Sequence, residues 1–435
     1  MQKNSSTSIK IIIMHDQRDN ATNLGTRAFT NGLIQLAQHH FPSAEVRTLY
    51  ISRYFKYCFY KLKYVSGDKI GIFKKWTRRY LLMGLFLEKV KNYKTIWGHL
   101  EKGANYLNNL TQQKSSNVIL RKFLSILNKL FVFQVVNQDA FSTIKKADII
   151  LVNGHAIVRD HFAERLFVLL FYSNLAKRLN KVVAFVNQTV EIQDPLVCSL
   201  VKKVYNELDY IAARDPFSRQ RLIDIGVLPE KVNLSSDASF FLQVKFLDSR
   251  IERIISEEAI EEGSIGLIVR NQANPDYKLW AETINQIEEA FKKRVIYVTT
   301  SKVEDMNFIK EVLKFIPLKY LKNEYDYNEM IGIFKRLEMI ISDRFHGAVF
   351  SILANTPVIP MKTKLSEKTK GLFEFFDYPI QTLDPLSASN QKRLIEAIRD
   401  VYQNYDKCKM SLCNALPRLR KYSMHNIPDI TDIKS

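Results

Sequence analysis

Residues 339–361 read MIISDRFHGAVFSILANTPVIPM, and this stretch decides the fold. Met339 to Ile341 is a short apolar run with no polar alternation, the pattern of a strand buried on both faces. Arg344 to Ala354 reads as a helix whose buried face is Val349, Phe350, Ile352 and Leu353, with Asp343 the expected N-cap. Asn355-Thr356-Pro357 turns the chain, and Val358 to Met361 is a second buried strand. Strand, helix and strand in this order form a βαβ unit of a parallel sheet.

Working outward, the same alternation fills most of the chain. Ile9 to Met14 is a strand candidate and Thr26 to His40 a helix. Asp148 to Val152, Lys181 to Val186 and Tyr210 to Ala213 are strands, and Glu164 to Leu179, Pro195 to Glu207 and Pro216 to Ile225 are helices. A second series starts near Ser264, with strands Ile265 to Val269 and Arg294 to Thr299. Its helices are Leu279 to Lys292, Asp305 to Phe315 and Asp326 to Lys335. The series separate near Phe241 to Glu262. An α/β protein of two doubly wound, Rossmann-like domains facing a central cleft is expected, with domains at 1–240 and 241–420 and a tail at 421–435. At 435 residues the chain exceeds one ordinary core, which agrees with two domains.

Ligands of doubly wound sheets sit beyond the carboxyl ends of the strands. Arg344 and His346 follow a strand and open a helix, where unpaired N–H groups suit a phosphate and a guanidinium matches phosphate or carboxylate oxygens. Gly347 allows a ligand or backbone to come close. Arg214 repeats the arrangement in the first domain, ending a strand with Asp215 and Pro216 as N-cap and first helical residue. Arg270, after the strand Ile265 to Val269, and Lys370, after the Met361 turn, are further candidates for anion contacts. Each has a plainer reading: an arginine paired with a carboxylate, a histidine serving as a structural hydrogen bonder.

The bulk numbers restrict the partners. Net charge is +19, and it is concentrated. Residues 51–130 hold seventeen Lys and Arg against Asp68, Glu88 and Glu101. Tyr54, Phe55, Tyr57, Phe59, Tyr60, Tyr64, Phe73, Trp76 and Tyr80 are interleaved with them. A helical insertion at about 51–138 is expected, either with solvated lysines or meeting an anionic membrane surface, where rings reach headgroup depth and lysines meet phosphates. No nucleic-acid module accompanies it, so no nucleic-acid partner is expected. The 4 cysteines form neither a disulfide framework nor a zinc signature. The polar first ten residues and the four-residue apolar run after them do not make a signal peptide, and no apolar stretch reaches bilayer length. A cytoplasmic protein, peripheral on the inner face of a membrane if the insertion docks there, is the expectation.

Several segments resemble one family, the polysaccharide pyruvyl transferases. Ile340 to Ile359 is similar to its C-terminal signature, an Arg-Leu-His core before a small-residue helix and a Pro-Val strand, with Phe345 replacing leucine. Ile211-Ala212-Ala213-Arg214-Asp215-Pro216-Phe217-Ser218, with Leu222 and Gly226, resembles the Arg-Asp-x-x-Ser segment. Asp237-Ala238-Ser239-Phe240 resembles an Asp-Pro-Ala-Phe element without its proline. Asn23-Leu24-Gly25-Thr26 is similar to an Asn-x-Gly-Asp element, with Thr26 in the acidic position. Asn153-Gly154-His155 stands where a Gly-Gly pair is usual. The likeness spans about Ile9 to Asp377, interrupted by the basic insertion.

The resemblance implies a GT-B-like fold. It also implies transfer of a pyruvyl group from phosphoenolpyruvate to a sugar of a cell-surface polysaccharide or its lipid-linked precursor, forming a pyruvate ketal. The counterparts of Arg214 and Arg344 would hold the donor and that of His346 would act as general acid. Asn23, Gly25, Asn153 and Gly154 would lie on the acceptor side. Phosphoenolpyruvate is then a co-substrate, with no cofactor and no metal expected. The rival reading is a GT-B glycosyltransferase using a nucleotide sugar, with Glu367 and Glu374 as its ribose- and sugar-contacting acids. A third is a non-catalytic assembly partner that keeps the fold.

Overall fold

The computed structural model describes residues 8–15, 23–51, 138–245, 247–270, 275–363, 366 and 368–429. Contacts divide the chain into two units, residues 1–48 with 148–435 and residues 49–147. The second unit is described only at its two ends. The expected helical insertion at 51–138 and its lipid-facing stretch 51–130 therefore lie outside the described residues, apart from Ile51 and Gln138. Among the described residues no helix is long and apolar enough to cross a membrane.

In chain order the elements are β1 (Lys10–His15), α1 (Leu24–His40), β2 (Glu45–Tyr50), α2 (Gln138–Lys146), β3 (Ile149–Arg159), α3 (Ala163–Arg178), β4 (Val182–Glu191), α4 (Pro195–Glu207), β5 (Tyr210–Ala213), α5 (Pro216–Asp224), β6 (Val232–Leu234) and α6 (Asp248–Glu257). The second series is β7 (Ile265–Ile268), α7 (Tyr277–Phe291), β8 (Val295–Tyr297), α8 (Lys302–Val312), β9 (Lys319–Tyr320), α9 (Tyr327–Phe334), β10 (Met339–Ser342), α10 (Phe345–Ala354), β11 (Val358–Pro360), α11 (Lys368–Phe373), α12 (Gln391–Gln403) and α13 (Tyr405–Met424).

They build two sheets, β2-β1-β3-β4-β5-β6 and β11-β10-β7-β8-β9. Pairings β1–β3, β3–β4, β4–β5 and β5–β6 are parallel, as are all four of the second sheet. Both are doubly wound, with order reversing between β1 and β3 in one and between β7 and β10 in the other. A reversal leaves a crevice at the carboxyl ends of the two strands beside it. β10 and β11 bury every residue, as their uninterrupted apolar runs require. Helix α10 stops at Asn355, whose left-handed φ of 55° is a conformation asparagine tolerates.

Two strands run further than their apolar cores indicate. The sequence pattern ends them at Val152 and Val186, but β3 continues to Arg159 and β4 to Glu191. Each passes through a register shift, between His155 and Val158 in β3 and between Phe185 and Gln188 in β4. His155 and Asn187 there take positive φ of 42° and 53°. A bulge re-aims the residues that follow it, and this one creates a ledge carrying Thr189, Glu191 and Arg159.

The two halves of the first unit share structure. Leu24 and Ala28 of α1 belong to the core of the second sheet, while Leu33, Leu36 and Ala37 of the same helix belong to the core of the first. Phe240 and Leu242 pack into the second core and Ala238 into the first. The region expected to separate the domains contains α6. The expected tail begins inside α13, and beyond it Ile427 is buried in the first core. Asn426 accepts from the backbone N–H of Asn187 at 2.8 Å and donates to the Ser236 carbonyl at 2.8 Å.

Candidate active site

His346 is the second residue of α10, just beyond the carboxyl end of β10. Arg344 occupies the N-cap position, a correction to the expectation that Asp343 would cap this helix. Asp343 instead accepts the backbone N–H of Arg270 through both oxygens at 3.0 Å, tying the end of β10 to the end of β7.

The His346 side chain is 15% exposed. Its ring lies 5.7 Å from that of Phe29 on α1. Gly25, one helical turn earlier, faces the imidazole so closely that a Cβ there would stand 2.2 Å from Nδ1. His346 Nε2 is buried and has no hydrogen-bond partner among the described residues. The nearest carboxylate oxygen is Asp237 Oδ2 at 3.8 Å, beyond hydrogen-bond reach. Burial lowers the imidazole pKa to about 3; Asp237 opposes this, while Arg214, Lys368 and Arg270 reinforce it. In the free protein His346 is therefore neutral at physiological pH.

Arg214 comes from the other sheet, immediately after β5. Its Nε donates to Thr189 Oγ1 at 2.6 Å and its Nη1 to Asp237 Oδ2 at 2.8 Å. Its guanidinium lies 4.1 Å over the Phe345 ring, so it stacks on the residue next to His346. Planar guanidinium on an aromatic face, with two of its donors pinned, is a rigid arrangement. Asp237 and Arg214 are both buried. Burial works to raise the Asp237 carboxyl, but the Arg214 guanidinium and the Ser239 N–H outweigh it and hold the group below the usual carboxylate range.

Cations from four places crowd this point. Lys368, the first residue of α11, is 6% exposed. Burial pushes its ammonium well below the usual lysine value, with Arg270, Arg159 and Arg214 adding to the effect and Glu191 opposing it. Arg159 at the end of β3 pairs with Glu191 at 2.7 Å and donates to Ser366 Oγ at 2.7 Å, joining the ledge to the loop before Lys368. His155 sits edge-on to Phe29 at 4.4 Å. Its pKa is driven well below 6.5 by burial and then by Arg214, His346 and Lys368. A buried lysine and two half-buried histidines facing arginines form a cluster whose field favours an anion.

Of the residues singled out from sequence, Arg214, Arg270 and His346 come together here. Arg344 is buried and ion-paired with Asp305, whose other oxygen accepts the N–H groups of Thr300 and Ser301. Lys370 does not join the cluster. It is half-buried with its ammonium 5.3 Å from the Phe217 ring, because two steps along a helix turn a side chain by about 200°. A Cβ on Gly347 would meet Ser342 Oγ at 2.1 Å, so the close approach it permits is to its own strand end. Asn23 caps α1 by accepting from Thr26 N at 3.3 Å. Asn153 accepts from Asn187 at 3.2 Å, and a Cβ on Gly154 would meet Phe185 and Gln188. Of the residues expected on the acceptor side, Gly25 lies against the His346 ring. Glu374 is exposed and Glu367 lies outside the described residues.

Sequence reading missed Lys368, Arg159 and Thr189, and gave His155 and Asp237 no role. Lys368 lies two residues from the lysine it did pick. The only available signal for the ledge was Asn153-Gly154-His155, a polar triplet interrupting an apolar run.

Solved structures share the fold. Anabaena HepE in complex with UDP and glucose is 12% identical with a TM-score of 0.51, covering 98% of this chain and 97% of its own. UDP-GlcNAc 2-epimerase from Neisseria meningitidis bound to UDP-GlcNAc is 11% identical with a TM-score of 0.50, covering 96% and 97%. Likeness at this identity establishes the GT-B-like architecture alone. No curated protein matches the sequence at a significant level. The family model for polysaccharide pyruvyl transferase matches residues 23–364, more than three quarters of the chain, and with its two doubly wound sheets and the Arg214–His346 site this protein belongs to that family.

Proposed function

We propose that the protein transfers the pyruvyl group of phosphoenolpyruvate onto a sugar of a surface polysaccharide or its lipid-linked precursor, forming a pyruvate ketal. The observation that carries this reading is His346, half-buried with a buried, unpartnered Nε2 among Arg214, Lys368 and Arg270. Phosphoenolpyruvate carries a phosphate and a carboxylate, the two anions such a cluster can neutralise. A glycosyl donor offers no carbon for an acid to protonate in this way.

The chemistry then assigns roles. His346, as imidazolium, gives its proton to the methylene carbon of the donor, and positive charge develops on the neighbouring carbon. Two sugar hydroxyl oxygens bond to that carbon, and its bond to the phosphate oxygen breaks. The two hydroxyl protons leave, one restoring the acid and one departing with phosphate. Arg214, Lys368 and Arg270 hold the donor's oxygens and stabilise phosphate as it goes. Arg344, which the resemblance also assigns to the donor, anchors the turn beneath His346 through Asp305 and would reach the donor by sharing that carboxylate. Phosphoenolpyruvate is the co-substrate, and an anionic membrane surface meeting residues 51–130 is the proposed means of reaching a lipid-linked acceptor.

The test is phosphate release from phosphoenolpyruvate on addition of glycolipid extracts, wild type beside His346→Ala. Acceptor-dependent release lost in the variant supports the reading. Absence of release, with thermal stabilisation by a nucleotide sugar and none by phosphoenolpyruvate, would replace it with the glycosyltransferase reading.

A further inference from the structure

A general acid that is neutral in the free protein needs a way to become charged, and the geometry around Asp237 supplies one. Asp237 Oδ1 accepts the Ser239 N–H at 2.9 Å, and Oδ2 is the oxygen turned toward Arg214 and His346. That oxygen lies between two claimants: Arg214 Nη1 holds it at 2.8 Å, and His346 Nε2 waits 3.8 Å away with no partner of its own. Arg214 Nη2 makes no hydrogen bond among the described residues, so the guanidinium has a free edge for an incoming oxygen. The charged groups acting on His346 are Asp237 from the turn after β6, Arg214 after β5, Lys368 on α11 and Arg270 after β7. His155 on β3 faces the same space as a neutral ring. From α1, Gly25 and Phe29 contribute no charge, and neither do Phe345 and Phe350 on His346's own helix.

We propose that Asp237 is the positioning residue that charges His346, and that it does so when an anionic donor engages Arg214. This rests on the pyruvyl-donor reading above. Donor oxygens on Arg214, Lys368 and Arg270 cancel the cations that oppose an imidazolium. They also draw the guanidinium toward the ligand and loosen its hold on Oδ2. Closing by about 1 Å brings Oδ2 into hydrogen-bond range of Nε2, and Nε2 binds a proton from solvent. The charged ring later gives one proton to the methylene carbon, after which the imidazole is neutral again. Without donor the site thus holds no strong acid, and the acid forms with the donor already seated.

Calorimetric titration of the full-length protein with phosphoenolpyruvate, in buffers of different ionisation enthalpy at near-neutral pH, counts the protons taken up on binding. Wild type is expected to bind close to one proton more per site than His346→Gln, the comparison removing any contribution from the donor's own phosphate. Asp237→Asn should bind the donor yet show the lower proton count of His346→Gln; Asp237→Ser serves as a second variant should the first not fold. Equal counts for wild type and His346→Gln would overturn the proposal whatever the Asp237 variants do. Wild-type uptake retained in the Asp237 variants would remove Asp237 from the role. No binding of phosphoenolpyruvate to wild type would instead overturn the donor reading beneath it.

Discussion

Replacing Gly25 with alanine should separate stability from catalysis, because the glycine lies directly against the His346 ring. A Cβ at this position would stand 2.2 Å from Nδ1, 2.4 Å from Cγ and 2.8 Å from Cε1 of His346. Carbon and nitrogen atoms rest about 3.5 Å apart, so the ring or the start of α1 must retreat by about 1 Å. Overpacking of this kind costs roughly 1–3 kcal/mol. Alanine in place of glycine inside a helix returns up to about 1 kcal/mol. The net loss of stability is thus at most about 3 kcal/mol, within what a domain of this size tolerates. Catalysis has no such offset, because moving a reacting group by about 1 Å costs on the order of 100-fold in rate. Steady-state phosphate release, with urea unfolding and donor affinity measured on the same preparation, reads all three quantities. Turnover lost while folding and donor binding persist is the expected pattern. Gly25→Ala turning over like wild type would refute the placement of His346 as the acid, since its ring cannot keep its position beside that methyl group.

Three further outcomes follow from the same geometry. Lys368→Met should weaken donor binding at least about tenfold, the loss of one charge-assisted contact, while Lys370→Met should leave it near wild type; because Lys368 is held below its usual pKa by burial and by three arginines, the Lys368 variant should also melt higher at neutral pH. Asp305→Ala strips Arg344 of its buried carboxylate and should cost about 3–5 kcal/mol, measured by urea unfolding, with donor affinity per folded molecule changing less. His346, lowered to about 3 in the folded protein, takes up its proton near 6.5 when unfolded, so acid destabilises the free protein progressively from pH 6.5 downward; His346→Gln should flatten that loss in pH-dependent melting curves, and an unchanged slope would show the ring is not buried neutral.

The sequence by itself determined the architecture and half of the site. Uninterrupted apolar runs such as Met339–Ile341 have only one stable environment, a strand covered on both faces, and their alternation with amphipathic helices leaves few topologies. The same local logic placed Arg214, Arg270 and His346 at strand ends, where a doubly wound sheet presents its ligands. What pairs with what was decided by tertiary structure. Arg214 and Arg344 look alike in sequence, each after a strand and before a helix, yet one lies over the Phe345 ring beside His346 and the other is paired with Asp305. Lys368 and Lys370 differ only by the phase of a short helix, which no spacing in a six-residue element reveals. The ledge bearing Thr189, Glu191 and Arg159 depends on two left-handed residues, His155 and Asn187, whose backbone angles are stabilised by packing between strands far apart in the chain. Arg159 at the end of β3, His346 on α10 and Lys368 on α11 acquire their lowered pKa values only when the fold buries them, and burial is a property of the assembled fold.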